Sequence, residues 1–168
     1  MPYFLIVLGV VARLFPHPWN FTPIGALGLF AGANVGPRLA WLVPMSALLI
    51  ADLILGFYEP TIMLFVYVGF LAGPLLGRLL LSEKRSIFRI GGAVFASSTL
   101  FFVLSNFGVW VAGYYPPTLA GLIECYVLAI PFYGVLLVGD AFYAGILFGG
   151  QEMVTAAMRR RGGQRLSF

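Results

Sequence analysis

The stretch Leu119–Met158 reads LAGLIECYVLAIPFYGVLLVGDAFYAGILFGGQEMVTAAM, apolar almost throughout but carrying Glu124, Asp140 and Glu152. As one straight helix these 40 residues would reach about 60 Å at ~1.5 Å per residue, twice the ~30 Å hydrocarbon core of a bilayer. Pro131 lacks an amide hydrogen, and its ring collides with the preceding turn, so the sequence predicts a break there. Leu119–Ile130 then becomes a short accessory helix of interfacial or re-entrant length, and Pro131–Met158 the last crossing.

The rest of the chain fits that reading. Of its 168 residues, 61 % are hydrophobic and 10 % charged, with a mean hydropathy of +0.97. Soluble domains carry about a quarter charged residues, so this chain has too little polar surface to cover a water-facing globule. The fold class expected is an all-α integral membrane protein, a single membrane domain over residues 1–168 with a basic cytoplasmic tail at 159–168. The first apolar run lacks a basic n-region and an A-x-A site, so it reads as a membrane helix rather than a signal peptide. Further crossings are expected at Pro2–Phe15, Phe21–Gly36, Leu39–Tyr58, Thr61–Leu81 and Ile87–Leu104, giving a six-helix bundle. The first two are short for a span. "SEKRS" (Ser82–Ser86) and "SNFGVWVAGYYPPT" (Ser105–Thr118) read as loops.

Charge orients the bundle. Six crossings put both termini on one side, and if that side is the cytoplasm it holds Arg38, Arg78, Lys84, Arg85, Arg89, Arg159, Arg160, Arg161 and Arg165. Only Arg13 remains outside, a steep positive-inside bias. The net charge of +4 is thereby a matter of topology and not of nucleic-acid binding.

The opposite, outer mouth gathers the polar and aromatic residues. "FPHPWNFTPIG" (Phe15–Gly25) holds His17, Trp19 and Asn20 on a turn stiffened by Pro16, Pro18 and Pro23. They line a binding site or form an interfacial turn with Trp19 in the aromatic belt. Asp52 lies within the outer part of the third helix, where an isolated charge costs ~2.5–3.5 kcal/mol on insertion scales. It faces a wet pocket or pairs with Arg13. Asn106, Trp110, Tyr114 and Tyr115 suit a ligand-covering lid or, singly, the belt. Glu124 contacts ligand or faces water, Cys125 acts as a small hydrophobe, and Asp140 serves as structural glue or as a polar pocket floor. Gly28, Gly32 and Gly36, Gly69, Gly73 and Gly77, and Gly145 and Gly149 recur at four-residue spacing, which lets helices approach closely.

No P-loop, H-E-x-x-H or G-x-S-x-G motif occurs, and one histidine and one cysteine leave no metal cluster. No cofactor and no enzymatic activity are therefore expected. The segments FPHPWNFTPIGALGLFAGA (Phe15–Ala33), SNFGVWVAGYYPPTLAGLIECY (Ser105–Tyr126) and GDAFYAGILFG (Gly139–Gly149) resemble a group of small bacterial membrane proteins ascribed to transport. That group in turn is similar to the substrate-binding S-components of energy-coupling factor (ECF) vitamin transporters. The resemblance implies a vitamin-like ligand captured at the outer face of the inner membrane. It also implies delivery through a coupling protein with ATPase subunits, or alone as in solitary S-components. The alternative is a non-transporting assembly or scaffold protein whose outer residues only anchor the interface.

Overall fold

The computed structural model describes residues 1–16, 18 and 20–164. Among them every regular element is a helix: α1 Pro2–Leu14, α2 Ile24–Asn34, α3 Pro37–Leu55, α4 Pro60–Phe70, α5 Ala72–Leu81, α6 Ile87–Val111 and α7 Leu119–Gln164. Four stretches are long and apolar enough to cross a membrane: Pro37–Leu55, Pro60–Leu81 (α4 and α5 taken together, interrupted only at Leu71), Ile87–Val111 and Leu119–Arg160. Most of their surface is apolar and unburied within the chain, as expected of helices that face lipid.

The two short helices behave differently. With 13 and 11 residues, α1 and α2 span only about 20 and 17 Å. From Ile24 to Ala33 every residue of α2 is buried, so it forms the axis around which the others pack. A helix wrapped on all sides needs no apolar stripe, which is why α2 reads as uniformly hydrophobic.

Its partner is α5, and the contact runs backbone to backbone. A Cβ on Gly28 would lie 2.9 Å from Pro74 Cδ, and one on Gly73 would lie 3.2 Å from Gly28 Cα. Gly32 faces the Pro74 carbonyl and Gly77 the Leu29 carbonyl with no room for any side chain. Gly69 instead packs on Phe101 of α6, where its Cβ would meet the ring at 3.1 Å. Gly36, Gly145 and Gly149 have open space around them, so their share of the spacing pattern meets no neighbour among the described residues.

Two expectations need correction. The chain does not break at Pro131: α7 is one helix of 46 residues, so there is no separate accessory helix. A proline inside a helix removes a single N–H donor, and the exposed Pro131 leaves its ring clear of neighbouring helices, so the helix carries on through it. Nor is Ser105–Val111 a loop, because α6 runs on to Val111. The Asn106 amide donates to the Phe102 carbonyl at 2.8 Å, which satisfies the polar side chain within its own helix. The basic tail is helical through Arg159 and Arg160 to Gln164, and Arg165 lies outside the described residues.

At the end where α2 and α5 finish, Arg85 is a clamp. Its Nε donates to the Leu81 carbonyl (2.8 Å), one Nη to Gln151 Oε1 (2.8 Å) and the other to the Ala33 carbonyl (3.0 Å). Gln151 donates in turn to Asn34 Oδ1 at 2.6 Å. At the other end, Glu59 accepts the Ile62 N–H at 2.7 Å and caps α4. That bond holds its carboxyl below the ordinary value of 4.5. The stabilisation is therefore present above the unfolded pKa and lost as pH falls through the depressed folded value. Glu59→Ala should melt earlier than wild type at neutral pH, and the gap should close on acidification. A gap independent of pH would remove the cap from the account.

Candidate functional site

The site is built where α1 and α3 end and α4 begins. Arg13, in the last turn of α1, donates from Nη2 to Asp52 Oδ1 at 2.7 Å, and Tyr67 of α4 donates to Asp52 Oδ2 at 2.9 Å. The Asp52 side chain is 2 % exposed and that of Arg13 18 %. A carboxylate this deep is tolerable only because a cation and a hydroxyl both reach it. Tyr58, in the connection between α3 and α4, is pushed up to about 12, by burial first and by the nearby Asp52 second, against the opposing pull of Arg13. Its hydroxyl stays neutral and able to donate at any physiological pH.

Two adjoining cavities open beside this group. One, of about 180 Å³, is lined by Arg13, Asn20, Thr22 and Tyr58. The other, of about 190 Å³, adds Ser105, Asn106 and Tyr133. Asn20, Val66, Phe101 and Leu136 line both, which makes them two chambers of one space. Phe102 and Tyr133 form part of its aromatic wall, with ring centroids 4.8 Å apart. Asn20 sits at φ 62, in the left-handed region that asparagine adopts more readily than most residues. Asn106 spends one amide hydrogen on Phe102, and no side-chain or backbone donor among the described residues pairs with its carboxamide oxygen.

Of the residues singled out from the sequence, Asn20 and Asn106 line this space, and Asp52 stands behind it as the partner of Arg13. Trp110 and Tyr114 belong to a separate open groove of about 560 Å³, where Trp110 Nε1 donates to the Pro116 carbonyl at 3.0 Å. Glu124 is exposed on α7 and lines neither chamber. His17 and Trp19 lie outside the described residues. From the sequence Arg13 reads as the one outer basic residue and a partner for Asp52, and Tyr58, Thr22, Ser105 and Tyr133 do not stand out there as site residues. Two of these were within reach, since Ser105 adjoins Asn106 and Tyr133 follows Pro131 by two residues.

Asp140 does different work. Ser98 Oγ donates to its Oδ2 at 2.7 Å and the Ala26 N–H to its Oδ1 at 3.2 Å. The carboxylate thus caps the buried start of α2, and the absence of a Cβ on Gly25 lets it approach. Among the described residues no group of three His, Cys, Asp or Glu side chains is placed to hold a metal ion.

The arrangement offers hydrogen-bonding groups at one end and aromatic walls at the other, and among the described residues no nucleophile is paired to a base. No curated protein and no solved structure matches the chain. A family model, described as a family of unknown function (DUF6580), matches residues 1–161, and the chain belongs to that family.

Proposed function

We propose that this protein is the substrate-capturing membrane subunit of an uptake system for a small nutrient, a vitamin or cofactor precursor. Capture occurs at the outer face of a bacterial cytoplasmic membrane, with both termini inside. Delivery follows the ECF mode, on a coupling protein with ATPase subunits, or the solitary S-component mode. The observation that carries the reading is the two-chambered cavity, which brings Asn20 and Asn106 together from distant parts of the chain. The segregation of Arg38, Arg78, Lys84, Arg85 and Arg89 away from that cavity supports the orientation.

Purified full-length protein in detergent should gain thermal stability from a small-molecule extract of its host. A ligand at a hundredfold excess over Kd adds about 2.7 kcal/mol. Val66→Trp, which fills both chambers, should abolish the gain. Asn20→Gly, which suits the left-handed backbone at φ 62, and Asn106→Ala add no volume and should reduce it without lowering the melting temperature of the ligand-free protein. A stability gain that survives all three substitutions would put the ligand elsewhere. A protein that no extract stabilises would be the scaffold of the alternative reading.

A further inference from the structure

A second polar space shares no residue with the two capture chambers. It is a groove of about 430 Å³ between Arg85 and one face of α7, completed by Gln151. Glu152, Thr155, Ala156 and Arg159 line it at the i, i+3, i+4, i+7 spacing of a single helical stripe.

Arg85 reaches this groove already fixed. Its Nε and two Nη atoms each donate once, to the Leu81 carbonyl, Gln151 Oε1 and the Ala33 carbonyl. The guanidinium carbon also stands 5.8 Å from the centre of the Phe148 ring. All of these partners are uncharged, so the cation is held in place without being neutralised. A guanidinium carries five N–H groups, and two remain after these three bonds.

Charge balance then calls for an anion. All six Asp and Glu side chains of the chain lie among the described residues, and of these only Glu152 lines the groove. Glu152 pairs with neither arginine, since the ion pair among the described residues is that of Arg13 with Asp52. Arg85 and Arg159 against Glu152 leave at least one positive charge uncompensated, and further basic residues would only raise it. Both arginines are accessible, and the planar fork of a guanidinium matches the oxygens of a phosphate. Close to Arg85 in the chain, Ile87 and Phe88 at the start of α6 are 80 and 89 % exposed. Bare apolar surface next to a cationic groove is the setting in which lipid headgroups are recognised.

We propose that this groove binds an anionic phosphate group through Arg85 and Arg159, against the repulsion of Glu152. The phosphate is that of an anionic phospholipid headgroup or free phosphate, and the test separates the two. The proposal does not depend on the capture reading.

The full chain in dodecyl maltoside is titrated at constant ionic strength with dihexanoylphosphatidylglycerol, dihexanoylphosphatidylcholine or inorganic phosphate, and its thermal stability is followed. The glycerol lipid or inorganic phosphate should stabilise it. The choline lipid, whose own ammonium cancels the charge, should need roughly fivefold more, the worth of one charge at such a surface. Arg159→Gln should weaken the response about tenfold, the loss expected for a charge-assisted bond. Glu152→Gln should strengthen it by up to about fivefold. Arg160→Gln removes the same charge from a side chain that does not line the groove, and should change the response less than about twofold. All three side chains are exposed, so the ligand-free melting temperatures should match wild type. The lower midpoint, lipid or inorganic phosphate, names the source. Equal losses in Arg159→Gln and Arg160→Gln would reduce the effect to diffuse surface charge and overturn the site. Equal stabilisation by the two lipids would overturn it as well, and so would no response to any of the three.

Discussion

Asp52→Ala is expected to destabilise the protein by about 3–5 kcal/mol, toward the lower figure because Arg13 keeps 18 % of its side-chain surface exposed. The substitution strands a buried guanidinium and removes the acceptor of the Tyr67 hydroxyl, whose bond is 2.9 Å long. Both groups lose partners where water reaches them poorly, so the cost reflects two orphaned donors and not one broken contact. The double variant Arg13→Met/Asp52→Leu should recover the share of the loss that comes from the stranded guanidinium and keep the share from the Tyr67 hydroxyl, since well-packed apolar residues often match a buried ion pair. Reversible unfolding in mixed micelles measures both. A single variant as stable as wild type would mean that the pair is solvated.

The second large effect lies on the α2–α5 seam. A methyl on Gly32 would strike the Pro74 carbonyl, and one on Gly77 the Leu29 carbonyl. These are backbone atoms inside packed helices and cannot rotate away, so the helices must separate. Overpacking of this kind costs about 1–3 kcal/mol or more per site. Because α2 is the buried axis, the strain spreads to every helix around it. Gly145→Ala and Gly149→Ala are the controls. Each has open space for its methyl, and alanine is the better helix former by up to ~1 kcal/mol. Equal losses at all four positions would show that the seam is not where α2 and α5 are held.

These residues also show what the sequence could and could not convey. The four long spans were legible because crossing lipid demands about 20 apolar residues, a constraint written into composition alone. Four-residue glycine spacing was legible too, but not which ridges meet a neighbour. Gly32 and Gly149 look alike in the sequence and differ only in what lies opposite. Pro131 misled because one missing N–H is a small loss in a helix of 46 residues, and the sequence does not reveal that the helix continues on both sides of it. Ser105 and Asn106 misled for a related reason: polar letters suggested a loop, yet both side chains bond back to the Phe102 carbonyl and let the helix continue.

The site was half legible. Asn20, Asp52 and Asn106 stood out as polar residues in an apolar chain. Tyr58, Phe101 and Tyr133 did not, because aromatic residues in a membrane protein are ordinary until the fold turns them toward one space.

The most direct measurement is labelling of single cysteines at Asn20, Asn106 and Lys84 in a Cys125→Ala background, with a membrane-impermeant maleimide on intact cells. Asn20→Cys and Asn106→Cys should react from outside and be shielded by added ligand, while Lys84→Cys should react only after permeabilisation. Labelling of Asn20→Cys and Lys84→Cys from the same side would contradict an outward-facing capture cavity.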